Sequence, residues 1–165
     1  MRLLVSSLAA AALFAGSIAG PAHADPCARP AEKEAFDVAG LKSELMVVAI
    51  ACQAQDRYNS FVSRYQHDLQ ADERMLNNYF ARTAGHHAQQ EHDSYITNLA
   101  NAESDAGIQQ GTLFCQQHLA MFDEVMALHT GKDLPAYAES KSFPQPIAVS
   151  ECTAAKKKLH TADEK

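Results

Sequence analysis

The chain has 165 residues, enough for one domain with a core of its own. Its 20 acidic side chains outnumber its 14 basic ones, for a net charge of −6. That acidic balance argues against nucleic acid and against anionic membrane surfaces as main partners.

Met1-Arg2 is followed by a largely apolar stretch from Leu3 to Gly20, and then by Ala22-His23-Ala24. One basic residue, an apolar run and a small-x-small site form the pattern of a cleavable export signal, expected to leave Asp25 as the new N-terminus. The run is rich in Ala, Ser and Gly, and no basic stop-transfer cluster follows it. A cleaved signal therefore fits better than a membrane span. Cys27 falls at the third mature position, whereas a lipid anchor needs Cys at the first, so no stable membrane anchor is expected. The expected location is periplasmic or secreted.

Residues 25–36, with Pro26 and Pro30, read as an extended arm. A helical domain is expected over 37–131. Leu41, Leu45, Val48, Cys52, Val62, Tyr65 and Leu69 recur at spacings of three and four, which predicts an amphipathic helix. Its span of roughly 42 Å is long for a small domain, so a break is expected near Asp68–Asp72, with Asp72 as N-cap of the next segment. Met75, Leu76, Tyr79 and Phe80 form the apolar face of that segment, and Gly85 ends it. After a polar turn at 86–90, a third helix carries Tyr95, Ile96, Leu99, Ala100 and Ala102 and weakens at Asp105-Ala106-Gly107. A fourth runs from about Gln109 to His129. Residues 132–165 read as a proline-containing arm and tail, in which Pro135, Pro144 and Pro146 exclude a long helix. No stretch alternates as a strand does. The expected fold is all-α, a small disulfide-bridged bundle of two antiparallel hairpins with extended N- and C-terminal arms.

Cys27, Cys52, Cys115 and Cys152 make an even set in a chain read as exported, which points to disulfides. Four cysteines allow three connectivities. Position favours Cys52 with Cys115, both on apolar helical stripes, and Cys27 with Cys152, both in arms. No Cys-x-x-Cys is present, so neither a zinc knuckle nor a redox pair is supported.

The stretch Leu41-Lys42-Ser43-Glu44-Leu45-Met46-Val47-Val48-Ala49, then Cys52, then Arg57-Tyr58-Asn59-x-Phe61-Val62, resembles a group of small exported proteins of alphaproteobacteria. Tyr95-Ile96-Thr97-x-Leu99-Ala100-Asn101 followed by Phe114-Cys115 is similar to the same group. The resemblance covers residues 38–128. It implies a Gram-negative periplasmic or extracellular setting, and it transfers no catalytic residue.

Candidate chemistry is sparse. His86, His87, Glu91 and His92 are the densest set of metal-ligand types, suited to Zn²⁺ or Cu²⁺. Histidines at i and i+4, as in His-Glu-x-x-His, are absent, and a solvated capping turn explains the cluster more simply. His118 sits among the apolar stripe of the fourth helix, where a buried histidine with one hydrogen-bond partner is the ordinary arrangement. Gln55 and Asn59 interrupt the stripe of the first helix. With Tyr58 and His118 they are candidates for a small polar pocket. No Gly-x-Ser-x-Gly elbow occurs, and cysteines held in bridges supply no nucleophile. No catalytic residue is assigned and no cofactor is called for. The leading expectation is a binding or interaction module without catalysis of its own, acting on an unknown protein or small-molecule partner. The alternative is a periplasmic Zn or Cu protein using the histidine-rich turn.

Overall fold

A computed structural model describes residues 26–152. The expected export signal and the tail beyond 152 lie outside them. Helix α1 spans Pro30–Ala51. Proline at the first helical position loses no hydrogen bond, because that amide has no intrahelical partner in any case. Three residues after the cap, the Glu32 carboxylate accepts the backbone N–H of Arg29 at 2.8 Å. These two features start a helix inside the segment expected to be an extended arm, which is shorter than the sequence suggests.

Helix α1 stops at Cys52–Ala54, where Gln53 takes a left-handed conformation (φ 58°). The break expected near Asp68–Asp72 therefore falls earlier. A second interruption at Tyr65 separates α2 (Gln55–Arg64) from α3 (Gln66–Ala84). There the Tyr65 hydroxyl donates to the carbonyl of Val125 at 2.6 Å, within the core. Asp72 lies inside α3 and caps nothing.

Gly85, at φ 56°, ends α3, and a single 3-10 turn over Gly85–His87 leads into α4 (Ala88–Gln110). Helices α3 and α4 fold back on each other across that turn. Helix α4 does not weaken at Asp105-Ala106-Gly107. A Cβ at Gly107 would meet the ring of Phe114 at 3.1 Å, so this glycine admits a close aromatic neighbour within an unbroken helix. The expected fourth helix is instead two short ones, α5 (Phe114–His118) and α6 (Ala120–Met126), set off from α4 by a 3-10 turn over Gly111–Leu113. The proline-containing arm holds one further short helix, α7 (Leu134–Glu139), with Pro135 in its first turn where proline is tolerated.

The architecture is all-α, and no strand occurs among the described residues beyond one isolated bridge, Ala28 to Glu151. Helix α1 is the hub, packed against α2, α3, α4, α5 and α7. Two apolar clusters flank α1. One gathers Leu41, Leu45, Val48, Phe61, Phe122 and Val125. The other gathers Phe36, Leu76, Tyr79, Phe80, Tyr95 and Leu99. In the second, Phe36 meets Tyr79 and Tyr95 edge-on at 4.9 and 5.0 Å, the geometry that aligns ring edge with ring face.

The disulfides are Cys52–Cys115 and Cys27–Cys152, as position along the chain favours. The first ties the end of α1 to α5. The second joins the two ends of the described chain, beside hydrogen bonds from Ala28 N–H to the Ser150 carbonyl and from Cys152 N–H to the Ala28 carbonyl, both 2.8 Å. Gln145 pins the C-terminal segment down, accepting from the Tyr95 hydroxyl at 2.9 Å and donating to the Phe36 carbonyl at 3.1 Å. Among the described residues no helix is long and apolar enough to cross a membrane.

Candidate functional site

One face of α1 presents Ala35, Val38, Ala39, Lys42, Ser43 and Met46, a run at spacings of three and four. Every fourth residue on one row of it (Ala35, Ala39 and Ser43) is small. Where α3 and α4 cross this row, the short side chains fail to fill the space between helices. What remains is a cavity of about 130 Å³, closed on its other sides by Tyr58 of α2, Leu69, Asp72, Glu73 and Leu76 of α3, and Ile96 and Leu99 of α4. Its walls are mostly apolar. An apolar cavity of roughly 150 Å³ inside a helical protein takes up benzene, so this one suits a body of about that size. Past Lys42, Leu69, Glu73 and Ile96 it continues into an outer groove that reaches His92 and Asp93.

Polar groups at the cavity are few and poorly matched. Ser43 is 7 % exposed, and its hydroxyl oxygen has no hydrogen-bond partner among the described residues. Burial pushes the Asp72 carboxyl up to about 6, and the negative charges of Asp68 and Glu34 push it the same way. Burial also raises the phenol of Tyr58. Glu73 faces His92, with Oε1 and Nε2 3.2 Å apart.

A second set of polar groups lies across α1, α4 and α5. Glu44 and Glu103 are 3 % and 1 % exposed and in contact. Two touching carboxyls in a dry environment do not both ionise, and the proton stays on Glu103. Burial, then the hydrogen bond to Glu44 and its charge, raise Glu103 to about 9. Glu103 thus donates to Glu44. Nδ1 of His118 lies 2.5 Å from Oε1 of Glu44, and Nε2 lies 2.8 Å from Oε1 of Gln110. An amide oxygen only accepts, so Nε2 carries a proton. The imidazole stacks on Phe114 with ring centres 4.6 Å apart. Neither carboxylate lines the cavity, and the network ties three helices together.

No protein-family model, curated protein or solved structure matches this chain.

The residues singled out from sequence are scattered. His86 and His87 are exposed and stacked ring to ring at 4.0 Å, and Glu91 is exposed one turn on. His92 is buried on the far side of its helix, against Phe80 and Glu73. The alternative four-residue ligand set does not assemble, because His92 belongs to the buried face of α4, whereas Glu91 is on its exposed face and His86 and His87 are exposed in the turn before it. Among the described residues no three His, Cys, Asp or Glu side chains converge as a metal site. The polar pocket of Gln55, Tyr58, Asn59 and His118 does not form either. Gln55 and Asn59 are exposed on α2, which the break at 52–54 turns away from the line of α1, and His118 sits with Glu44. Only Tyr58 of that set lines the cavity. Arg57 and Arg64 reach across to α6 and its end, Arg57 to the Asp123 carboxylate and Arg64 to the Leu128 carbonyl.

Sequence reasoning passes over Ser43, Glu44, Asp72 as a cavity residue, and Glu103. Signals for them exist. Glu44 lies three residues after Leu41 and four before Val48, and Glu103 four after Leu99. A carboxylate at core spacing is a buried polar group that needs a partner. The row Ala35, Ala39, Ser43 marks where helix packing leaves room.

Proposed function

We propose that this chain is an exported binding module, without catalysis of its own, that holds a small apolar molecule in the cavity between α1, α2, α3 and α4. The observation that carries this reading is the cavity itself: a space of about 130 Å³ with predominantly apolar walls from four helices, open to an outer groove. Apolar pockets with a few convergent polar groups are the usual form of a small-molecule site. The two disulfides support an oxidising compartment, and the signal-like N-terminus and the alphaproteobacterial resemblance make the periplasm of a Gram-negative cell our proposed location.

Toluene is a suitable first probe, because it has the size and polarity of the cavity and no functional group. At ten times its dissociation constant it should stabilise the fold by about 1.4 kcal/mol. For a domain of this size that is a rise of a few degrees in Tm. Ala39→Leu puts a branched side chain into the cavity and should abolish the rise while the variant still melts cooperatively. A toluene response that Ala39→Leu leaves intact would place the binding elsewhere.

A further inference from the structure

We infer that the cavity is built for a cationic amphiphile, a molecule with a benzene-sized apolar body and a protonated amine, with Asp72 receiving the ammonium group. The inference rests on the cavity reading above and names its ligand class.

Asp72 lines the cavity and makes no ion pair or hydrogen bond among the described residues. A carboxylate held partly out of water without a partner is costly, and the group that relieves that cost is a cation with N–H donors. Ser43 lines the same cavity, but its hydroxyl oxygen is sealed from it, so Asp72 is the acceptor within reach of the ligand.

The surrounding charges point the same way. Asp68 on α3 and Glu34 on α1 are the charged groups acting on Asp72, and both are acidic. Lys42 lines the cavity too, yet it forms no ion pair with Asp72, so it leaves the carboxylate open to a ligand. Glu73 adds a further carboxylate at the wall, with Oε1 3.2 Å from Nε2 of His92. The apolar remainder, Val38, Leu76 and Leu99 among it, accommodates the body of the ligand.

The test compares three probes of one shape by isothermal titration calorimetry at pH 8: phenethylammonium, 2-phenylethanol and 3-phenylpropanoate, with toluene as reference. Phenethylammonium should bind at least tenfold more tightly than 2-phenylethanol, and 3-phenylpropanoate should bind weakest. Asp72→Asn should remove the preference for the amine, with circular dichroism confirming that the variant is folded. If the amine binds no more tightly than the alcohol, or if the carboxylate binds best, the inference is overturned. Binding of toluene would in that case leave the cavity reading standing. If none of the four probes binds, the cavity reading fails as well.

Discussion

Replacing both members of either disulfide by serine should cost about 4 kcal/mol, the largest effect expected of any change in this chain. Cys52–Cys115 closes a loop of 63 residues, and the entropy that such a bridge removes from the unfolded chain is worth about 4 kcal/mol. Cys27–Cys152 spans 125 residues but encloses the other bridge. With the inner bridge intact, it closes a circuit of roughly 60 residues, so its loss should be of similar size. The double removal should slightly exceed the sum of the single ones, since each bridge shortens the circuit that the other closes. Total stability in a domain of this size is roughly 5–15 kcal/mol, so loss of both bridges should leave the protein mostly unfolded at 37 °C. Urea unfolding of the two paired-serine variants checks the estimate. A loss below about 1 kcal/mol for Cys52→Ser with Cys115→Ser would mean that the helices already constrain those ends in the unfolded ensemble.

The buried carboxyl pair makes the second large effect. Glu103→Ala should cost about 3 kcal/mol, because it leaves a void and strips the buried Glu44 carboxylate of its donor. Glu103→Gln keeps a donor toward Glu44 in nearly the same volume and should cost about 1 kcal/mol near pH 5. The pH dependence distinguishes this account from simple packing. Glu103 is raised to about 9 in the folded state, against an ordinary value of 4.5. Below about 4.5 both states hold the proton, and the stabilising contribution is fully present. Between there and about 9 the unfolded chain releases the proton and the folded one retains it, so stability falls by up to about 1.4 kcal/mol per pH unit from this group. Glu103→Gln has no proton to lose. Its deficit relative to wild type should therefore vanish within about one pH unit above 5, and the variant should be the more stable of the two at pH 8.5. Denaturant titrations at those two values measure it, and a deficit that stays constant would place the shared proton elsewhere.

The helical class was legible because apolar residues in this chain recur at three and four over long stretches. The disulfide pairing was legible because two cysteines sit on those stripes and two do not. Helix boundaries were less so. Pro26 and Pro30 look alike in sequence, yet Pro30 opens α1 because Glu32 stands three residues past the cap to meet the free amide of Arg29. Gly107 looks like a breaker, and its lack of a side chain instead lets Phe114 approach. The break at Cys52–Ala54 has no glycine or proline to announce it, and Gln53 takes the left-handed conformation in its place. The site was hidden for a different reason. A cavity is space left over where three or four helices meet, so it depends on distances between residues far apart in the chain. Ala35, Ala39 and Ser43 are unremarkable until α3 and α4 pack over them. The histidines drew attention by their number, while Glu44 and Glu103, spaced as core residues, form the buried carboxyl pair.

The account stands or falls on whether an apolar molecule enters the cavity between α1, α2, α3 and α4. The most direct measurement is a nuclear Overhauser experiment on isotope-labelled protein with unlabelled toluene. The account predicts contacts from the toluene ring to the methyl groups of Met46, Leu76 and Leu99, which converge on the cavity from three helices. Contacts instead to Ile50 and Ile108, exposed beside a separate groove near the Cys52–Cys115 bridge, or to no methyl group at all, would contradict it.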